Sequence, residues 1–168
     1  GDGGGIQLLS VNGEDVTGNV NRWHSVDLVN NMINNNVAGL AGGGIAIQDA
    51  VLVSIRNNTV AHNESTATTA LAFSPGVFNE SNAPPAGIVS RTHSTDFGIA
   101  LGETNVAESF SNPAISDSIV EHNRSFYWLN YDDPLTPAIE TGLFPANCTT
   151  APTGCDLANV EGYTADLA

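Results

Sequence analysis

The chain contains no lysine. Its fixed positive charge is confined to Arg22, Arg56, Arg91 and Arg124, against eighteen acids and a net charge of −14. A surface of that sign repels phosphate, which excludes nucleic acid and anionic lipid as natural partners. It suits a solvated acidic exterior, a high-salt or extracellular setting, and weak cation binding. Charge of both signs together reaches only 13%, far from the Glu- and Lys-rich periodic runs of a helical bundle. No apolar run of eighteen residues occurs, so membrane insertion by a hydrophobic helix is not expected. An initiator methionine and a signal peptide are also missing from the sequence.

Cysteine is nearly absent. The two that exist, Cys148 and Cys155, enclose Thr-Thr-Ala-Pro-Thr-Gly. Neither a Cys-x-x-Cys spacing nor a neighbouring histidine is present, which argues against zinc, thiol redox chemistry and haem attachment. With Pro152 and Gly154 inside so short a loop, the pair reads as a disulfide-pinned corner. Loop closure would stabilise it by about 2–2.5 kcal/mol. An oxidising, extracytoplasmic location follows from that reading.

What the chain does have is short branched-aliphatic runs separated by Gly and Asn. From Gly42 to Ser65 the runs are three to five residues long and alternate, with Ile45 and Ile47 facing one way. Alternation with branched residues is strand grammar, and the separators are too short for helices. The pieces recur. Gly42-Gly43-Gly44-Ile45 has a partner at residues 3–6 and a looser one at Pro85–Val89. Ile55–Ser65 aligns without gaps to a segment twenty-seven residues upstream and to another sixty downstream. The alignment matches Ile33, Val60 and Val120, and also Asn36, Asn63 and Asn123.

Self-similar units of this length predict stacked windings, each burying apolar residues against the next about 4.8 Å away. Asn31, Asn36, Asn58, Asn63 and Asn123 fall at the bends. There an asparagine tolerates left-handed backbone angles, and its amide bonds the asparagine of the neighbouring winding. The fold class expected is all-β: a right-handed parallel β-helix solenoid, one domain over 1–168. Loop excursions are expected at 11–21, 74–85 and 92–113, and the cysteine-bearing part at 135–168. A further strand is expected over Thr66–Phe73, a helical turn near Glu103–Phe110, and one more coil starting at 155–162. No cap precedes Ile6 or follows the last repeat, which predicts a segment of a larger protein or self-association through open ends.

These residues resemble the right-handed parallel β-helix repeats of bacterial surface and secreted proteins, the superfamily that includes pectate lyases. The resemblance covers about 3–65 and 85–130. It implies a fold more than an activity. Pectate-lyase-like sites pair calcium-binding acids with an Arg or Lys base, and no arginine here lies beside an acidic cluster on a repeat strand. Of the polygalacturonase-like motifs only an Asp-Asp, Asp132-Asp133, is present, and it precedes a proline.

The densest aromatic cluster, Ser125–Pro134, supplies the candidate site. Trp128 and Tyr131 offer ring faces to a pyranose, and Asp132 and Asp133 offer carboxylates to hydroxyls or a calcium ion. The plainer alternative is that Phe126 and Trp128 close a coil while the acids decorate a turn. His62 and His122 occupy equivalent repeat positions and read as shared turn chemistry. His93 beside Ser90 and Ser94 lacks the Gly-x-Ser-x-Gly turn of a nucleophile. Asp2 and Asp49 follow no calcium-roll spacing, so no cofactor is expected beyond a weakly held calcium. Five Asn-x-Ser/Thr sequons occur, at Asn57, Asn63, Asn79, Asn123 and Asn147.

The function expected is a non-catalytic extracellular or cell-surface module, a scaffold, adhesin or assembly unit with a glycan or protein partner. The alternative is a polysaccharide lyase or glycoside hydrolase whose site lies partly outside this segment.

Overall fold

The computed structural model describes residues 1–13, 19–102, 109–132 and 139–146. Within them the chain is all-β, and the only α-helix among the described residues is the six-residue α1 (Thr95–Ala100). The polypeptide passes three times through the same four strand positions. The first pass makes β1 (Ile6–Leu9), β2 (Ser25–Val29), β3 (Met32–Asn34) and β4 (Val37–Ala38). The second makes β5 (Ile45–Gln48), β6 (Leu52–Arg56), β7 (Thr59–Ala61) and β8 (Glu64–Ser65). The third makes β9 (Ile88–Ser90), β10 (Ala114–Ser116), β11 (Ile119–Glu121) and β12 (Arg124–Asp132), and β13 (Ile139–Pro145) follows. Strands in equivalent positions pair in parallel, giving sheets β1-β5-β9, β2-β6-β10, β3-β7-β11 and β4-β8-β12. β13 joins the last sheet antiparallel to β12.

The register matches the sequence alignment residue for residue. Ile6, Ile45 and Ile88 form one row, Leu28, Ile55 and Ile115 another, and Ile33, Val60 and Val120 a third. Second-pass residues are covered from both sides, so Ile45, Ile47, Ile55 and Val60 are fully buried. Each such burial stabilises by about 1.5–3 kcal/mol. Ile6, Leu8, Val26, Leu28 and Val120 belong to outer passes and are only partly buried.

The bends divide their work between adjacent residues. Left-handed backbone falls on Asn30, Asn35, Asn57, His62, Asp117 and His122, each with φ between 50° and 58°. The next residue in each case carries the ladder. Asn58 Oδ1 accepts from the backbone N–H and Nδ2 of Asn31, both at 2.9 Å, and Asn58 N–H donates to Ser118 Oγ at 3.1 Å. In the second ladder Asn36 donates to Asn63, and Asn63 to Asn123. The sequence reading gave both jobs to one asparagine. The structure separates them, because a side chain that must reach the next pass needs a rung position just after the turn.

His62 and His122 share the turn position, with ring centroids stacked 5.3 Å apart. Gly42, at φ +64°, turns the chain into the second pass where a Cβ would be strained.

Two edges of the stack carry the excursions. Residues 10–24 and 91–113 both leave between the first and second sheets, on either side of the tight turn Asp49–Val51. Asn12 Oδ1 accepts from Val51 N–H at 3.0 Å, and Ser111 Oγ accepts from Ala50 N–H at 3.2 Å. On the other edge, between the fourth sheet and the first, residues 66–85 leave the stack and return where Pro85 O accepts from Gly42 N–H at 2.8 Å.

Two expectations change. Thr66–Phe73 is not a strand: it holds a 3-10 turn at Ala70–Ala72, and Phe73 makes an isolated antiparallel bridge to Ser81. Thr66 N–H still donates to Ala38 O at 2.9 Å, but beyond it the Thr68 and Thr69 N–H groups both converge on Gly39 O, so the regular ladder stops there and the Ala-rich backbone turns helical. Within the 92–113 excursion a short helix forms at Thr95–Ala100, where Ser94 accepts from Phe97 N–H as its N-cap; most of the helical turn expected near Glu103–Phe110 lies outside the described residues. The aromatic run does not simply close a coil but extends as β12 into an antiparallel pair with β13. The Cys148–Cys155 loop, the segment 155–162 and residues 103–108 lie outside the described residues.

Candidate functional site

The 66–85 excursion is held against the outer face of the first sheet. Ile45 and Ile47 of β5 point into the main core. Ala46 between them points outward and is buried with Leu40, Ala41, Ala67, Ala72 and Val89, with Phe73 packed against the group. The excursion then folds back on itself: Asn82 donates from its backbone to Ala72 O at 2.8 Å and from Nδ2 to Ser74 Oγ at 3.0 Å. Its far arm runs beside β12. Ser81 N–H donates to Trp128 O at 2.9 Å, Trp128 N–H to Ser81 Oγ at 2.7 Å, and Asn130 N–H to Asn79 O at 2.7 Å. The excursion and β12 are thereby held side by side.

The excursion itself forms a cleft of about 480 Å³ lined by Thr68, Ala70, Phe73, Ser74, Pro75, Gly76 and Phe78. A smaller recess of about 250 Å³, lined by Thr68, Phe73, Phe78 and Trp128, joins it to β12. Phe73 meets Trp128 edge to face, with centroids 5.9 Å apart at 66°. Phe78 is 83% exposed and Leu71 80%. Exposed aromatic and aliphatic groups around a groove on a rigid scaffold are the usual make-up of a binding surface.

Thr69 Oγ1 and Asn130 Oδ1, one on the excursion and one on β12, are buried with no hydrogen-bond partner. Unpaired buried oxygens are uncommon and call for an explanation such as a ligand or a structural water. The Tyr127 phenol is held above its ordinary value of 10.0, first by burial and then by the Glu80 carboxylate. At the start of β12, Arg124 pairs with Glu64 and lies over the Phe126 ring.

Of the residues proposed from sequence, Trp128 is therefore in the site. Tyr131 and Asp132 take their places in the β12–β13 backbone ladder, opposite Glu140 and Ile139; Asp133 lies outside the described residues. Sequence reasoning missed Phe73 and Phe78. Phe73 was read as part of a strand and Phe78 lay in a proline-bounded loop, so no periodicity linked either to Trp128.

The other candidates have structural partners. Asp49 Oδ1 accepts from Ser94 N–H at 2.9 Å and lies 3.2 Å from His93 Nδ1, both side chains being buried. The Ser90 and Ser94 hydroxyls bond elsewhere, to Ser111 O and Phe97 N–H. Asp2 accepts from Ala41 N–H and lies 3.7 Å from Arg91. Among the described residues no group of three or more His, Cys, Asp or Glu converges as a metal site. The sequon asparagines Asn63 and Asn123 are fully buried ladder rungs, whereas Asn57 and Asn79 are exposed.

No protein-family model, curated protein or solved structure matches this chain.

Proposed function

We propose that the chain is a non-catalytic module of an extracellular or cell-surface protein, built as a right-handed parallel β-helix, and that it binds glycans in the cleft between residues 66–85 and β12. Three passes in register, with matched aliphatic rows and asparagine ladders, support the solenoid. The right hand follows from the rule for parallel crossovers. The observation that carries the binding reading is the meeting of Phe73, Phe78 and Trp128 at one open groove. Ring faces stack on the C–H face of a pyranose, while the Thr68 and Ser74 hydroxyls bond sugar hydroxyls. The stack supplies rigidity and the excursion supplies the variable surface.

The test is a glycan array probed with the wild-type chain and with Trp128→Ala. Array signal that disappears in the variant, with an unchanged β-sheet circular dichroism spectrum, supports the reading. Equal binding by both proteins, or none by the wild type, removes it.

A further inference from the structure

We infer that the cleft selects neutral glycans and rejects acidic ones such as polyuronates. This deepens the glycan-binding reading above and rests on it. An acidic polysaccharide needs a guanidinium, an ammonium or a bridging cation at its carboxylates. Nothing lining the cleft is basic. Arg56, Arg91 and Arg124 are each engaged by an acid, Asp27, Asp2 and Glu64 respectively. Arg22 lies in the 10–24 excursion, which leaves from the other edge of the stack. The acid closest to the cleft, Glu80, bridges to Leu129 and raises the proton affinity of Tyr127, both on the face of β12 opposite Trp128, so the cleft lining carries no charged group of either sign.

The field of the whole molecule is negative, at net −14. A polyanion approaching the groove is therefore repelled at range, with no base in the lining to offset the cost. A neutral pyranoside loses nothing to that field.

The experiment is calorimetric titration of the whole chain with neutral gluco-, manno- and galacto-configured oligosaccharides, and with oligogalacturonate of equal length. The expected result is that at least one neutral series binds and that oligogalacturonate binds at least about fivefold more weakly at low salt. The gap narrows at about 1 M salt, where the screening length falls to about 3 Å. Phe78→Ala, at a position exposed enough to spare the fold, abolishes the neutral binding. Oligogalacturonate binding as tightly as the neutral chains at low salt overturns the inference and leaves glycan recognition standing. Failure of both series removes glycan recognition itself, and the inference with it.

Discussion

Gly43 and Glu64 face each other across the inside of the second pass, so closely that a Cβ on Gly43 would lie 2.3 Å from the Glu64 carbonyl oxygen. At Gly44 the same atom would lie 2.5 Å from a Val60 methyl and 2.6 Å from Gly87 O. The Gly-Gly-Gly-Ile motif thus serves close approach as much as turning. Gly43→Ala is expected to destabilise the chain by about 1–3 kcal/mol or more, since backbone rather than a flexible side chain must move. Gly76→Ala meets no neighbour within 4 Å, and its strain comes only from φ +82°. Urea denaturation of the two variants should rank Gly43→Ala as clearly the worse.

The Asn63 amide is the centre of a ladder. Its Oδ1 accepts from Asn36, and its Nδ2 donates to Asn123 Oδ1 and to Ile33 O, all between 2.9 and 3.1 Å. Asn63→Ala strands donors and acceptors on both neighbouring passes. A loss of about 3 kcal/mol is expected, from two or more buried groups left unpaired. Asn57→Ala, exposed at a left-handed turn, should lose only about 1–2 kcal/mol, the cost of αL backbone for a residue with a Cβ. Equal losses in thermal melts would contradict the ladder's role.

Tyr127 sets an alkaline limit. Its pKa is raised in the folded chain by burial and by Glu80. The folded state therefore holds the phenolic proton more tightly than the unfolded state. The contribution is intact below the ordinary tyrosine value of 10.0 and is lost as pH climbs from there through the raised value. Tyr127→Phe should flatten the fall in stability above that pH. Glu80→Gln should flatten it only in part, because burial is the larger cause. Ultraviolet phenolate titration combined with alkaline melts distinguishes the two variants.

Asp49 anchors the excursion that carries α1. It sits at φ 55° and holds Ser94 N–H and His93 with one carboxylate oxygen. Asp49→Ala should cost about 2–3 kcal/mol, from the stranded partners and from αL backbone. Asp49→Asn keeps an acceptor and tolerates the turn, so it should cost less. Hydrogen exchange is expected to rise first in residues 94–100, ahead of β5 and β6. Simultaneous loss of protection everywhere would mean that the anchor is part of the global core.

Much of this architecture is legible in the primary structure. A repeat writes its own register: Ile33, Val60 and Val120 can be aligned by inspection because stacked passes impose one chemistry on equivalent positions. The glycines before Ile6 and Ile45 and the asparagines at the bends are set by local backbone angles and by the identical environment one pass away. Alternating branched-aliphatic runs and their repetition carried the all-β class, and composition carried the acidic charge.

The excursions obey no such rule. Whether Phe73 and Phe78 meet Trp128 depends on where residues 66–85 pack once they leave the ladder. That was decided by the small outward face of Ala46 and by the Ser81–Trp128 hydrogen bonds, contacts between segments some fifty residues apart. The division of each bend into a left-handed residue and a ladder residue, and the pairing of Asp49 with His93, likewise needed the third dimension. Periodicity encodes what every pass shares, whereas the cleft arises where the passes differ.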